Sequence, residues 1–296
     1  MPSQTAARGS TISSTHRHRH TLTAQNYALE EAGRSDPTST TTVQRAYARF
    51  LRGRVGSLNS DVRQLLVDED ALGLASGDGG RWAGLSPAET ARRFDEWMER
   101  AIQAEVLDPH DSRKVRDWFE RASKQALRTA NGELRRFGVD VDPAENILEQ
   151  DVVQESVDLQ QEDARQRVAS WMDDYRTDAR SLVTAGVTGE IAKSALASDI
   201  SERAQVYKSH TTATASGRVV NQYNTTKLTA YDRVDADVEL DVEAEFRTAG
   251  DNRVCSLCQG LSGTYTLEEA QQLTIPDDTH NLCRCQWIVT DVQELF

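Results

Sequence analysis

The chain has 296 residues, 38% of them hydrophobic and 27% charged, with a formal net charge of -13. That length and balance fit one large or two ordinary globular domains. No apolar run approaches the roughly 20 residues needed to span a bilayer, and Met1 to Ser14 lacks the apolar stretch of a secretory signal, so no membrane partner is expected.

Only five of the 34 basic residues are lysines. Many carboxylates with few lysines is what concentrated salt selects, which points to a halophilic host; GC-rich coding gives the same arginine bias. Charge is uneven. Residues 1–57 carry a net +5, leaving -18 for the rest.

Residues 1–42 read as a basic, low-complexity arm, rich in Ser, Thr and Arg and unable to bury a core. Such an arm can touch packaged DNA or an acidic partner, although counterion release weakens in strong salt. Its His16-Arg17-His18-Arg19-His20 run is a poor metal site, because the interleaved guanidiniums repel a cation.

Residues 43–228 read as a helical body, so the fold class is mainly α, with an extended helical body and a small C-terminal α+β module. Gly73 to Gly84 breaks the pattern as an exposed loop. Ser86 then caps a helix with Pro87 at its first position and Glu89 three residues on, and Phe94, Trp97, Met98, Ile102 and Val106 form its apolar stripe, which Pro109 ends. A second helix runs from about Asp111 to Gly138 on Val115, Trp118, Phe119, Ala122, Ala126 and Leu127. Asp142-Pro143 opens the longest helical stretch, with Ala164, Val168, Trp171, Met172, Tyr175, Ala179, Leu182 and Val183 on one face. Gly186 and Gly189 break it. A shorter segment to Ile200 and another helix through Ala204, Tyr207, Thr211, Ala215, Val219 and Tyr223 follow.

Residues 229–296 read as the α+β module. From Val234 to Phe246 every even position is apolar and every odd one acidic, which predicts a strand, bent or divided in two because of its length. Asp235, Asp237, Glu239, Asp241, Glu243 and Glu245 are expected to line its wet face, spaced too regularly to converge on calcium. Gly263-Thr264-Tyr265 predicts a short strand, Thr266 to Glu269 a capping box ahead of a short helix, and Trp287-Ile288-Val289 a last strand pairing with the first.

All four cysteines lie in this module: Cys255 and Cys258, then Cys283 and Cys285, with His280 three residues before Cys283. Two close thiol pairs separated by 24 residues suit zinc, because each knuckle turn aims two ligands at one tetrahedral ion. Four of these five residues suffice, and the choice among them stays open. Two disulfides or two buried free thiol pairs are the alternatives. A closed four-ligand shell has no place for water, so the expected role is structural.

The string Phe246-Arg247-Thr248-Ala249-Gly250-Asp251-Asn252-Arg253-Val254-Cys255-Ser256-Leu257-Cys258, followed by Leu261-Ser262-Gly263 and His280-Asn281-Leu282-Cys283-Arg284-Cys285, resembles the C-terminal module of the Mu F-like head-morphogenesis family. Arg203 to Thr211 is similar to a helical segment of the same family. The sequence departs from it at Asn281, where proline is usual, and at His210, where glutamate is usual. The resemblance implies a non-enzymatic minor capsid protein of a tailed virus, made in the host cytoplasm and incorporated in the virion interior near the portal vertex. Its implied partners are the portal protein and the major capsid protein. A zinc-dependent nucleic-acid-binding or regulatory protein is the competing reading; it asks for basic and aromatic residues around the knuckles, and only Arg247, Arg253 and Arg284 are there.

Overall fold

The computed structural model describes residues 37–73, 80–139, 151–238, 240–250, 254–275, 277–280 and 282–294. The arm through residue 36, the tip of the Gly73 to Gly84 loop and the Asp142-Pro143 helix start lie outside the described residues.

Among the described residues, five helices form the body. α1, Thr41–Arg63, runs on into a π-helical turn at Gln64–Asp68. α2, Pro87–Ile102, starts as its sequence predicts: the Ser86 side chain accepts the Glu89 N–H, and Pro87 occupies the first turn. It also continues, through a π-helical turn at Gln103–Leu107 and a last turn at Asp108–His110. Pro109 is tolerated there because the first residues of a new turn need no N–H donor. α3, Arg113–Leu134, ends in a tight turn at Gly138, whose φ of +82° glycine adopts without strain.

α4, Asp151–Val187, is broken after Val187, with Gly189 at φ +78°. α5 then runs without a break from Lys193 to Val238, 46 residues. The expected division into a short segment and a separate helix is therefore corrected: Ile200 and Ala204 are both buried on one continuous face, and nothing between them interrupts the hydrogen-bond ladder. This helix also passes through residue 228.

Another correction concerns Val234 to Phe246. Its first part, through Val238, belongs to α5, and the strand β1 is Leu240–Arg247. Alternation of period two contains pairs four apart, such as Val234 and Val238, so the same letters serve a helix face. Packing decides, because Tyr231 and Val234 are fully buried as the continuation of α5. Asp235 therefore does not share a face with Asp241, Glu243 and Glu245, and Glu239 lies outside the described residues. Asp235 stays on the helix, where its carboxylate accepts the Val242 N–H at 3.2 Å and closes the helix-to-strand turn; burial pushes its pKa up. Within β1 the alternation holds, with Val242, Ala244 and Phe246 buried and Asp241, Glu243 and Glu245 facing out.

A short helix α6 at Ser256–Gly260, strand β2 at Gly263–Thr266, helix α7 at Leu267–Gln271 and strand β3 at Gln286–Glu294 complete the chain. Thr266 and Glu269 form the predicted capping box. The sheet is antiparallel in the order β2-β1-β3, and a bulge between Glu243 and Ala244 shifts the β1–β3 register by one residue.

Two apolar cores result. The first packs α1 to α5 around Tyr47, Phe94, Phe119, Met172, Tyr175 and Tyr223. The second joins Leu127 and Leu134 of α3 and Leu228, Tyr231 and Val234 of α5 to Phe246, Trp287 and Val289 of the sheet, with Cys258, Cys283 and Cys285 in the same cluster. Phe246 and Tyr265 meet the Trp287 ring edge-on, with centroids 5.3 and 5.4 Å away. The sheet is thus built onto the helices rather than beside them, and the few apolar residues of the tail are supplemented by theirs. Among the described residues, no helix is long and apolar enough to cross a membrane.

Candidate metal centre

The first knuckle is the start of α6. Cys255 caps this helix, and its Sγ accepts the Cys258 N–H at 3.3 Å. The second knuckle precedes β3: the Cys283 N–H bonds the His280 carbonyl at 2.8 Å, and the Cys285 N–H points at Cys283 Sγ at 3.4 Å. Amides aimed at sulfur favour the thiolate, the form that binds metal.

All five sequence-predicted ligands converge. Cys255, Cys258 and His280 form one group and Cys258, Cys283 and Cys285 another, with ligand atoms in each group within 4.8 Å of one another. Cys258 belongs to both. The three cysteines of the second group are buried; Cys255 and His280 are half-buried. Cys258 Sγ and Cys283 Sγ stand 3.8 Å apart. A tetrahedral zinc with Zn–S bonds of about 2.3 Å places its sulfurs about 3.8 Å apart, whereas bonded sulfurs lie at about 2.05 Å. The four cysteines are free thiols, so the disulfide alternative does not hold in this structure.

The sulfurs of the cluster act on one another. The hydrogen bond from the Cys258 thiol holds Cys283 well below the usual thiol range, and donating it pushes Cys258 up. A metal binding among these sulfurs would displace the thiol protons. Soft sulfur with one imidazole nearby is a donor set for a thiophilic divalent ion, and it fits the available spacing.

Sequence reasoning missed the residues that hold this site in place. Asn224 of α5, 2% exposed, donates from Nδ2 to the Cys285 carbonyl at 3.2 Å and accepts the Trp287 N–H on Oδ1 at 3.0 Å. The amide thereby grips the backbone on both sides of Gln286. One turn on, the buried Lys227 ammonium donates to the Trp287 carbonyl at 2.6 Å and to Glu133 Oε1 of α3 at 2.7 Å. Tyr231 O–H donates to the other Glu133 oxygen, which the Val289 N–H also approaches at 3.4 Å. Burial pulls the Lys227 pKa down while Glu133 opposes that shift.

A third tie is ionic. Arg218 of α5, 2% exposed, forks onto both oxygens of Asp277 at 3.1 and 2.9 Å and reaches Asp163 of α4 at 2.7 Å. Asp277 lies three residues before His280, so this clamp fixes the approach to the second knuckle. The signal for these residues was the run of polar side chains, Arg218, Asn224 and Lys227 with Asn221, Gln222 and Thr226, in a helix that is buried nearly all round here.

His210 stacks on Trp171, with centroids 4.4 Å apart and planes 17° from parallel. Burial lowers its pKa. Of the three basic residues near the knuckles, Arg247 is paired with Glu245 at 2.6 Å, and Arg253 lies outside the described residues. Comparison with protein-family models, with curated proteins and with solved structures gave no match. The resemblance to head-morphogenesis proteins therefore rests on the residues quoted for it.

Proposed function

We propose that the chain is a structural, non-enzymatic minor head protein of a tailed virus whose C-terminal segment is stapled by one zinc ion. The observation that carries this reading is the convergence of Cys255, Cys258, His280, Cys283 and Cys285. These are the residues that also carry the resemblance to the Mu F-like family. Cys258, common to both ligand groups, and Cys283 at a tetrahedral edge from it form the centre of the set, with the remaining ligands drawn from Cys255, Cys285 and His280. A bound zinc supplies a cross-link between the turn before α6 and the turn before β3, and no reacting group is needed for that role.

In this reading the helices dock on the portal or major capsid protein, in the virion interior near the portal vertex, and the protein is assembled there from the host cytoplasm. Two measurements test it. Elemental analysis of the purified chain is expected to give about one zinc per chain, lost in a Cys258→Ser, Cys283→Ser double variant. Co-expression with the portal and major capsid proteins is expected to yield a complex. A metal-free, folded wild-type chain would overturn the staple, and a chain that stays alone beside both partners would overturn the virion role.

A further inference from the structure

The outward face of α3 serves neither core nor the thiol cluster. Between residues 121 and 136 the exposed positions are Arg121, Lys124, Arg128, Gly132, Arg135 and Arg136. Five are cations and the sixth is a glycine. None of the five has an ion-pair partner among the described residues. The one acid in this stretch, Glu133, is turned inward onto Lys227. Arginines on neighbouring faces are treated differently: Arg92, Arg113, Arg116 and Arg176 all sit against carboxylates.

The arrangement is linear. Lys114, Arg121, Arg128 and Arg135 recur every seven residues, a spacing that drifts only about 20° per repeat and so draws a line about 32 Å long on the helix. Lys124 flanks it one turn away. Lys114 lies over the Phe50 and Trp118 rings, but from 121 to 136 the cations stand three, four and seven residues apart with no exposed acid among them and repel one another, and glycine in a helix interior is disfavoured. Packing does not ask for that glycine, since a Cβ at Gly132 would meet nothing within 4 Å. Within the chain alone both features are unfavourable. Both are accounted for by a polyanion that neutralises the row and approaches the backbone closely at Gly132.

We propose that this face of α3 docks duplex DNA through its phosphate backbone, without reading sequence. A protein partner is disfavoured because the exposed side chains from 121 to 136 are all cationic and the adjoining Phe137, 42% exposed, stands beside them without an exposed apolar neighbour in this stretch, whereas protein interfaces centre on clusters of apolar and aromatic anchors. The half-buried Gln125 and Thr129 beside the row are of the type that joins arginine and lysine on phosphates. A straight line of about 32 Å matches one turn of a rigid duplex, about 34 Å, and a flexible single strand imposes no such line. The proposal is independent of the zinc reading and places the contact on the helical body rather than on residues 1–42.

The test uses the full chain and a mixed-sequence duplex of about two helical turns, with affinity read by fluorescence anisotropy over the salt range in which circular dichroism shows the chain folded. An Arg121→Gln, Arg128→Gln, Arg135→Gln variant, all at exposed positions, is expected to bind at least about tenfold more weakly at the lowest salt. The slope of log affinity against log salt should become shallower by about 3, because each lost phosphate contact releases about one counterion fewer. A control variant, Arg92→Gln, Arg93→Gln, Arg203→Gln, removes the same charge from paired arginines and is expected to leave the slope unchanged. Failure of the full chain to bind duplex would overturn the proposal, as would an α3 variant that binds like wild type or equal losses in both variants. Polyglutamate competing as well as duplex at equal charge would assign the face to an acidic protein instead.

Discussion

Replacing Lys227 by methionine removes the cation that ties both helices to the last strand while keeping most of its volume. The ammonium is 0% exposed and donates to Glu133 and to the Trp287 carbonyl, with the rings of Tyr223 and Tyr231 about it at 5.6 and 5.9 Å. In the variant, Glu133 keeps the Tyr231 hydroxyl and Val289 amide donors but loses its counter-charge in a site whose side chain is 13% exposed. Breaking one side of a buried pair costs about 3–5 kcal/mol, most of it the stranded charge. At about 2–4 °C per kcal/mol for a domain of this size, Tm should fall by about 6–20 °C. Neutralising the partner as well, in a Lys227→Met, Glu133→Gln chain, should recover at least about 2 kcal/mol of that loss, because the stranded charge is gone. Thermal melts and urea titrations of the four chains of the cycle measure both quantities. A single variant within 1 kcal/mol of wild type, or a double variant no better than the single one, would refute the claim that this pair fastens sheet to helices.

Two further outcomes follow from the same description. Asn224→Ala leaves the Cys285 carbonyl and the Trp287 amide without the partners they have now, so zinc affinity measured by chelator competition should drop about 10–100-fold; an unchanged affinity would mean the knuckle keeps its shape unaided. His110 is fully buried, bonded through Nε2 to the Tyr47 hydroxyl at 2.5 Å with Nδ1 unpartnered, and burial lowers its pKa to about 4. The depressed value means that its contribution is complete above the unfolded pKa of about 6.5 and is lost as pH falls through 4, about 3 kcal/mol in all. Urea midpoints at several pH values should therefore fall more steeply across that window for wild type than for His110→Gln, and parallel profiles would count against it.

What could be read from the letters was local. Ser86-Pro87, the Thr266 to Glu269 capping box and the two cysteine knuckles each declare themselves within four or five residues, since caps and knuckles are closed by neighbours in the chain. The strand start failed for the opposite reason. Val234 and Val238 satisfy a period of two and a spacing of four equally, and only Tyr231 and Val234 entering the second core select the helix. Lys227, Asn224 and Arg218 were hidden because their partners are 94, 61 and 59 residues away, and a polar residue in a helix does not say whom it meets.

The contact between Val289 and Glu133 bridges 156 residues. Loops of that size close late, since their entropy must be overcome before any contact rewards it. Glu133 and Lys227 are sealed from water by the final strand, whose Trp287 carbonyl and Val289 amide meet them. Cys283 and Cys285 lie directly before that strand, so loosening its grip on the two helices would scatter the sulfur ligands as well.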